Sequence, residues 1–273
     1  MVIQIDRLPP LPQRPSDGHK GSFGTLLVVA GSTGLFGAAI LVARAALRGG
    51  AGLVRCALPA DLMTPLTIAV PPATTLDRDG PEFVPALREA DAVVCGPGLG
   101  LHGNAGLTLD RVLAARAGKP LVLDADALNL LAPLASERSA AGAVLTPHPG
   151  EAARLLGTDV AGVQRDRQAA AMALAERAAA VVVLKGAGSV VTDGARCYVN
   201  RSGNSGLASG GTGDVLAGLL GALLAQGMGP FDAACLAVHL HGAAADLIAS
   251  RLSEAGLCAD DLPLAIAEVL GPR

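Results

Sequence analysis

Six short runs dominated by valine and leucine punctuate the chain: "GTLLVVAGS" (24–32), "LVRCAL" (53–58), "DAVVCGPG" (91–98), "PLVLDADAL" (120–128), "AVLTPHPGE" (143–151) and "AVVVLKGAG" (180–188). Each is too short and too rich in β-branched residues to favour a helix, and unbroken apolarity suits a strand covered on both faces. Between them lie Ala/Leu/Arg stretches with helical spacing, at 35–50, 104–117, 165–179 and 212–227. This alternation predicts a mostly parallel sheet with helices on both sides. The segment "SVVTDGARCYVN" (189–200) departs from it: two brief strands around Asp193-Gly194 read as a hairpin, hence an antiparallel edge on the parallel sheet.

At 273 residues, with 51% apolar residues, the chain suits one large α/β domain covering 1–273, with no Gly/Ser-rich linker and no internal repeat. Aromatics are only 2% and Trp is absent, so the core has to be built from Ala, Val, Leu and Ile, with 35 glycines allowing close backbone approach. The Pro-rich first fifteen to twenty residues are the segment expected to be loose, and they lack the apolar stretch of a signal peptide.

A net charge of −3 without a Lys/Arg block argues against nucleic-acid binding, so any anion has to be recognised locally. The five cysteines form no CxxC pair and no zinc-like spacing, and read as reduced, mostly buried thiols of a cytoplasmic protein. The apolar stretch "VLAGLLGALLAQG" is too short to span a bilayer and reads as a core helix, so no membrane partner is expected.

In an open α/β sheet ligands bind beyond the carboxyl ends of the strands. The loops there read "AGSTGLFGAA", "CGPGLG", "DADALN", "TPHPGE" and "LKGAGS". "GLASGGTGDVLAGLL" (206–220) belongs with them: Gly210, Gly211 and Gly213 free backbone amides to converge, and the helix beginning near Thr212 adds its positive end, which makes an anion hole. Neither GxxxxGK[ST] nor a well-placed GxGxxG is present. A carboxylate at Asp214 would repel phosphate unless it had a use. The use that fits is a general base taking a proton from a substrate hydroxyl while the amides hold the transferred phosphoryl group; the competing reading is a first-turn aspartate that satisfies the helix dipole.

"GNSGLASGGTGDVLAG", with "LTPHPGEAARLLG", "VVLKGAGSVVTDG", "LDADALNLL" and "HKGSFGTLLVVAGS", resembles the ADP-dependent NAD(P)H-hydrate dehydratase family of the ribokinase-like superfamily, from about residue 15 to the C-terminus. The family's common Asn-Pro-Gly is here Asn204-Ser205-Gly206. The resemblance implies a ribokinase-like three-layer α/β/α sandwich with no separate lid domain. It implies repair of hydrated NADH or NADPH (NADHX, NADPHX; S epimer) by phosphorylation of the C6 hydroxyl and loss of phosphate, with ADP as co-substrate giving AMP, and Mg2+ as the metal. A separate epimerase acting in the same pathway and a homotetramer are implied too.

By the same resemblance Asp214 is the base and the amides of Gly211, Thr212 and Gly213 hold the phosphoryl oxygens. Ala39, Gly98, Gly100, His148 and Asp214 contact the hydrated dinucleotide, and Asn129 is a candidate beside them. Lys185, Gly186, Ala187, Gly188, Ser189 and Gly213 contact the adenine nucleotide. Glu151 either orients metal-bound water or caps the helix after His148; Asp124 and Asp126 are either helix caps or ligands near a magnesium–phosphate complex. His239 and His241, two apart on a helix, point in different directions and read as structural. The rival functions are a small-alcohol kinase of the same superfamily, such as a hydroxyethylthiazole kinase, and a non-catalytic nucleotide-binding protein.

Overall fold

A computed structural model describes residues 2–134 and 138–271. Ten strands form one sheet: β1 (Ile3–Gln4), β2 (Thr25–Val29), β3 (Leu53–Leu58), β4 (Thr74–Asp77), β5 (Ala92–Cys95), β6 (Leu121–Leu123), β7 (Val144–Leu145), β8 (Val181–Leu184), β9 (Val190–Thr192) and β10 (Arg196–Val199). The helices are α1 (Phe36–Arg48), α2 (Ala60–Ala69), α3 (Phe83–Glu89), α4 (Ala105–Ala115), α5 (Asp126–Leu131), α6 (Pro149–Leu156), α7 (Val160–Arg165), α8 (Arg167–Ala178), α9 (Thr212–Ala225), α10 (Pro230–Arg251) and α11 (Leu262–Val269).

The strand order is β1-β10-β9-β8-β7-β6-β5-β2-β3-β4. Every neighbouring pair is parallel except the two made by β9, which runs against β8 and β10. The hairpin read around Asp193-Gly194 is therefore present. It is not the edge, because β1 pairs with β10 beyond it. The N-terminal segment expected to be loose is tied here: the Ile3 and Ile5 amides donate to the Ala195 and Cys197 carbonyls, and Ile5 and Leu8 pack on the core.

Because successive side chains on a strand point to opposite faces, the continuous apolar runs feed two cores. Leu26 and Val28 join one, with α1, α9, α10 and α11; Leu27 and Val29 join the other, with α3 to α8. This is the three-layer, ribokinase-like arrangement. Four cysteines are buried and Cys258 is exposed. The longest helix, α10, is long and apolar enough by length and composition to cross a membrane, which the sequence reading expected of no segment; it is mostly buried in the fold.

Two features aim α9 at the strand ends. A methyl group on Gly218 would stand 2.3 Å from the Val42 carbonyl oxygen, and one on Gly221 would stand 2.5 Å from Val94 Cγ2. Only glycine lets α9 lie this close to both α1 and the sheet. At its start Gly211 has φ of 90°, in the left-handed region, and turns the chain into the first helical turn.

Candidate functional site

The parallel strands end together in Gly31, Gly96, Asp124, Thr146 and Lys185, with the α9 N-terminus beside them. From β2 the chain proceeds to β3 and β4 on one side, whereas β5 to β8 lie on the other, so the crevice between β2 and β5 is the topological switch point.

Asp124, 1% exposed, directly follows β6, and Lys185 directly follows β8; Lys185 Nζ stands 2.7 Å from Asp124 Oδ1 and 4.0 Å from Glu151 Oε2. The ammonium also lies against the start of α9, where a methyl group on Gly213 would be 3.3 Å away. Burial pulls the Lys185 pKa down, but Asp124, Glu151 and Asp214 outweigh it and hold the group above its ordinary value. Lys185, expected beside the adenine nucleotide, thus points into the carboxylate cluster. Gly186 to Ser189 form a tight turn beyond it, closed by Ser189 Oγ donating to the Gly186 carbonyl at 3.0 Å and held from below by Arg167, which donates to the Leu184 and Lys185 carbonyls.

Asp214 is the third residue of α9. The helix has no side-chain cap, and among the described residues the Asp214 carboxylate makes no hydrogen bond and no ion pair within 4 Å. A capping aspartate would return to the amide of Gly211; this one does not. Burial, with Asp124 adding to it and Lys185 opposing, raises its pKa to about 7. The first-turn amides of α9, which have no intrahelical acceptor, face outward beside it. The turn is held from behind: Thr212 Oγ1 lies 2.8 Å from the Leu207 carbonyl, and His241 Nε2 donates to the Thr212 carbonyl at 2.9 Å. Burial lowers the His241 pKa to about 4, so the ring is neutral, and its structural reading stands.

His148 caps α6: its Nδ1 accepts from the Gly150 and Glu151 amides at 3.0 and 3.4 Å, while Glu151 Oε2 accepts from the His148 amide at 2.7 Å. Nδ1 is therefore an acceptor, and Nε2 of the half-exposed ring lies 3.5 Å from Glu151 Oε1. Burial, assisted by Lys185 and Arg154, holds the His148 pKa below its ordinary value. Burial raises Glu151 to about 7 against the pull of Lys185. Of the two roles read for Glu151, the structure shows the cap: its carboxylate closes the α6 capping box by accepting from the His148 amide.

Of the remaining candidates, Gly98 and Gly100 line the β5–α4 loop at the switch point; the Gly100 amide donates to Asp126 Oδ2 at 2.8 Å and Ser32 Oγ donates to the Gly98 carbonyl at 2.9 Å. Asp126 therefore ties the loop down. Asn129 Oδ1 accepts from Arg154 Nε at 3.0 Å. Ala39, expected at the ligand surface, is fully buried in α1, and its methyl supports Gly31 from beneath. Asp124 as the partner of Lys185 was not legible in the sequence, because the two are 61 positions apart.

A ribokinase-like α/β/α protein with an unpaired carboxylate at a glycine-flanked helix N-terminus is the class that fold and site define together. The NAD(P)H-hydrate dehydratase family model matches residues 26–267, and the chain belongs to that family. It is 46% identical over 255 residues to the ADP-dependent (S)-NAD(P)H-hydrate dehydratase of Neisseria meningitidis serogroup B, covering 91% of this chain and 86% of the relative. It is 44% identical over 263 residues to the bifunctional NAD(P)H-hydrate repair enzyme Nnr of Escherichia coli K12, covering 96% of this chain and half of that longer protein. The crystal structure of the ADP/ATP-dependent NAD(P)H-hydrate dehydratase of Bacillus subtilis, co-crystallised with ATP/Mg2+, matches with a TM-score of 0.84 at 33% identity, covering 95% of this chain and 93% of that one.

Proposed function

We propose that this protein dehydrates the S epimer of NADHX and NADPHX at the expense of ADP, returning NADH or NADPH with AMP and phosphate. The observation that carries the reading is the Asp214 carboxylate: unpaired, raised to about 7, and set among the free amides of the α9 N-terminus. A hydroxide is a poor leaving group and a phosphate a good one, so activation of the C6 hydroxyl is the step that needs an enzyme.

Asp214 takes the hydroxyl proton as that oxygen attacks the terminal phosphoryl group of the nucleotide; the bond from phosphorus to the bridging oxygen breaks and AMP leaves. The amides of Gly211, Thr212 and Gly213 meet the negative charge on the phosphoryl oxygens, with Lys185 beside Gly213 as the nearest cation. The ring nitrogen lone pair then expels phosphate from C6, and loss of a C5 proton forms the C5=C6 double bond. Gly186 to Ser189 hold the nucleotide; His148, Gly98 and Gly100 hold the dinucleotide.

Magnesium in this reading would enter on the nucleotide phosphates and supply neutralisation of their charge. The same reading includes one catalytic domain over the whole chain, a homotetramer, a cytoplasmic setting and a separate epimerase that supplies the S form.

The test is incubation with (S)-NADHX and ADP. Recovery of NADH absorbance with equimolar AMP and phosphate is expected. A stable phosphate ester without NADH would show a kinase instead, and turnover unaffected by Asp214→Asn would remove the mechanism.

A further inference from the structure

Arg78 follows β4, at the far edge of the sheet, yet its side chain crosses the end of β3 to the switch point. Its amide donates to the Leu58 carbonyl at 3.1 Å, and its Nη1 donates to the Gly31 carbonyl, past the end of β2, at 2.8 Å. Gly31 in turn donates its amide to the Pro97 carbonyl at 2.9 Å, in the loop that carries Gly98 and Gly100.

The residue is only 7% exposed, and its buried Nε–H has no acceptor among the described residues. Asp61, Asp77 and Asp79 act on it only from a distance: among the described residues no carboxylate lies within 4 Å. The single bond to Gly31 uses one of five N–H groups. A loop tie alone would be served by an uncharged donor, whereas a buried cation without a counter-ion is costly, and burial pulls its pKa below the ordinary value. A counter-ion supplied by the ligand resolves this. Guanidinium is the side chain best suited to a phosphate.

We propose that Arg78 recognises a phosphate group of the dinucleotide in the crevice between β2 and β5, as a specificity residue apart from the nucleotide turn at Gly186–Ser189. The proposal rests on the dehydratase reading above. The phosphate is either the pyrophosphate, common to NADHX and NADPHX, or the 2′-phosphate, present only in NADPHX.

The experiment measures KM and kcat for (S)-NADHX and (S)-NADPHX, and KM for ADP, in the parent protein, Arg78→Met and Arg78→Lys. Arg78→Met is expected to raise dinucleotide KM roughly 10- to 100-fold, the range for losing a hydrogen bond to a charged group, with kcat and the ADP KM nearly unchanged and Arg78→Lys intermediate. A rise for both substrates assigns the pyrophosphate; a rise for NADPHX alone assigns the 2′-phosphate. Parental KM for both substrates overturns the proposal, whereas an inactive but folded parent overturns the dehydratase reading and this inference with it. Should Arg78→Met fail to fold, the Arg78 side-chain N–H resonance, identified by its loss in Arg78→Lys, is followed in the parent as (S)-NADPHX and then (S)-NADHX are added. A shift with either supports the proposal, and saturation by both without movement overturns it.

Discussion

Lys185 Nζ stands 2.7 Å from Asp124 Oδ1, joining the ends of β8 and β6 directly in front of the α9 N-terminus. This pair sets the charge of the site: one ammonium serves Asp124, Glu151 and Asp214, and the two carboxyls it does not pair with closely are both raised to about 7.

Removing either member should have unequal effects. Lys185→Met leaves the 1%-exposed Asp124 carboxylate without its cation, and loss of one partner of a buried pair costs about 3–5 kcal/mol. Asp124→Asn leaves Lys185 the carboxylates of Glu151 and Asp214, so its cost should be well below that. Urea unfolding of both variants checks the order. Equal losses would show that Asp124, and not the shared lysine, organises the cluster.

Asp214→Asn preserves shape and removes the proton acceptor. The dehydration rate should fall roughly 10²- to 10⁴-fold, the usual worth of a positioned base. ADP affinity should be kept or improved, since a negative charge near phosphates is gone. Calorimetric titration with ADP beside the rate of NADH recovery separates this from the capping role, in which activity per folded molecule would stay parental.

The same residue links activity to pH and, with the opposite sign, stability to pH. The ionised form is the base, so the rate should rise with pH through about 7. For stability, Asp214 and Glu151 have folded pKa values raised above the unfolded carboxylate range near 4. The folded state therefore binds more protons between about pH 4 and 7; the stabilisation is full below that window and lost as pH climbs through it. Asp214→Asn should be more stable than the parent at pH 8, by roughly 1–3 kcal/mol, with the gap closing by pH 5. Denaturant midpoints at the two pH values, without nucleotide, test it. A gap that widens on acidification would contradict the raised pKa.

His148 combines a cap with a proposed substrate contact. His148→Ala should cost about 0.5–2 kcal/mol of stability through the lost cap and also raise the dinucleotide KM with much of kcat kept, the pattern of lost uniform binding. His148→Asn, which can still accept from the Gly150 and Glu151 amides, should recover the stability but not the KM. Recovery of both by Asn would leave the ring no role in binding.

Local pattern alone determined the alternating α/β architecture, the Asp193-Gly194 hairpin, and Asp214 at a helix start between glycines, because periodicity and turn chemistry report which way a backbone runs and which face is buried. It could not show that Arg78 reaches Gly31, that Lys185 turns onto Asp124, or that Ala39 lies beneath the loop. β4 is a short, polar edge strand, "TTLD", with no apolar run to betray it. Its importance comes from lying two strands from β2 in the order β5-β2-β3-β4. That order arises from how the crossovers pack, which brings together strand ends far apart in the chain. Distances between such ends, and the charge balance they create, exist only once the sheet has closed around its two cores.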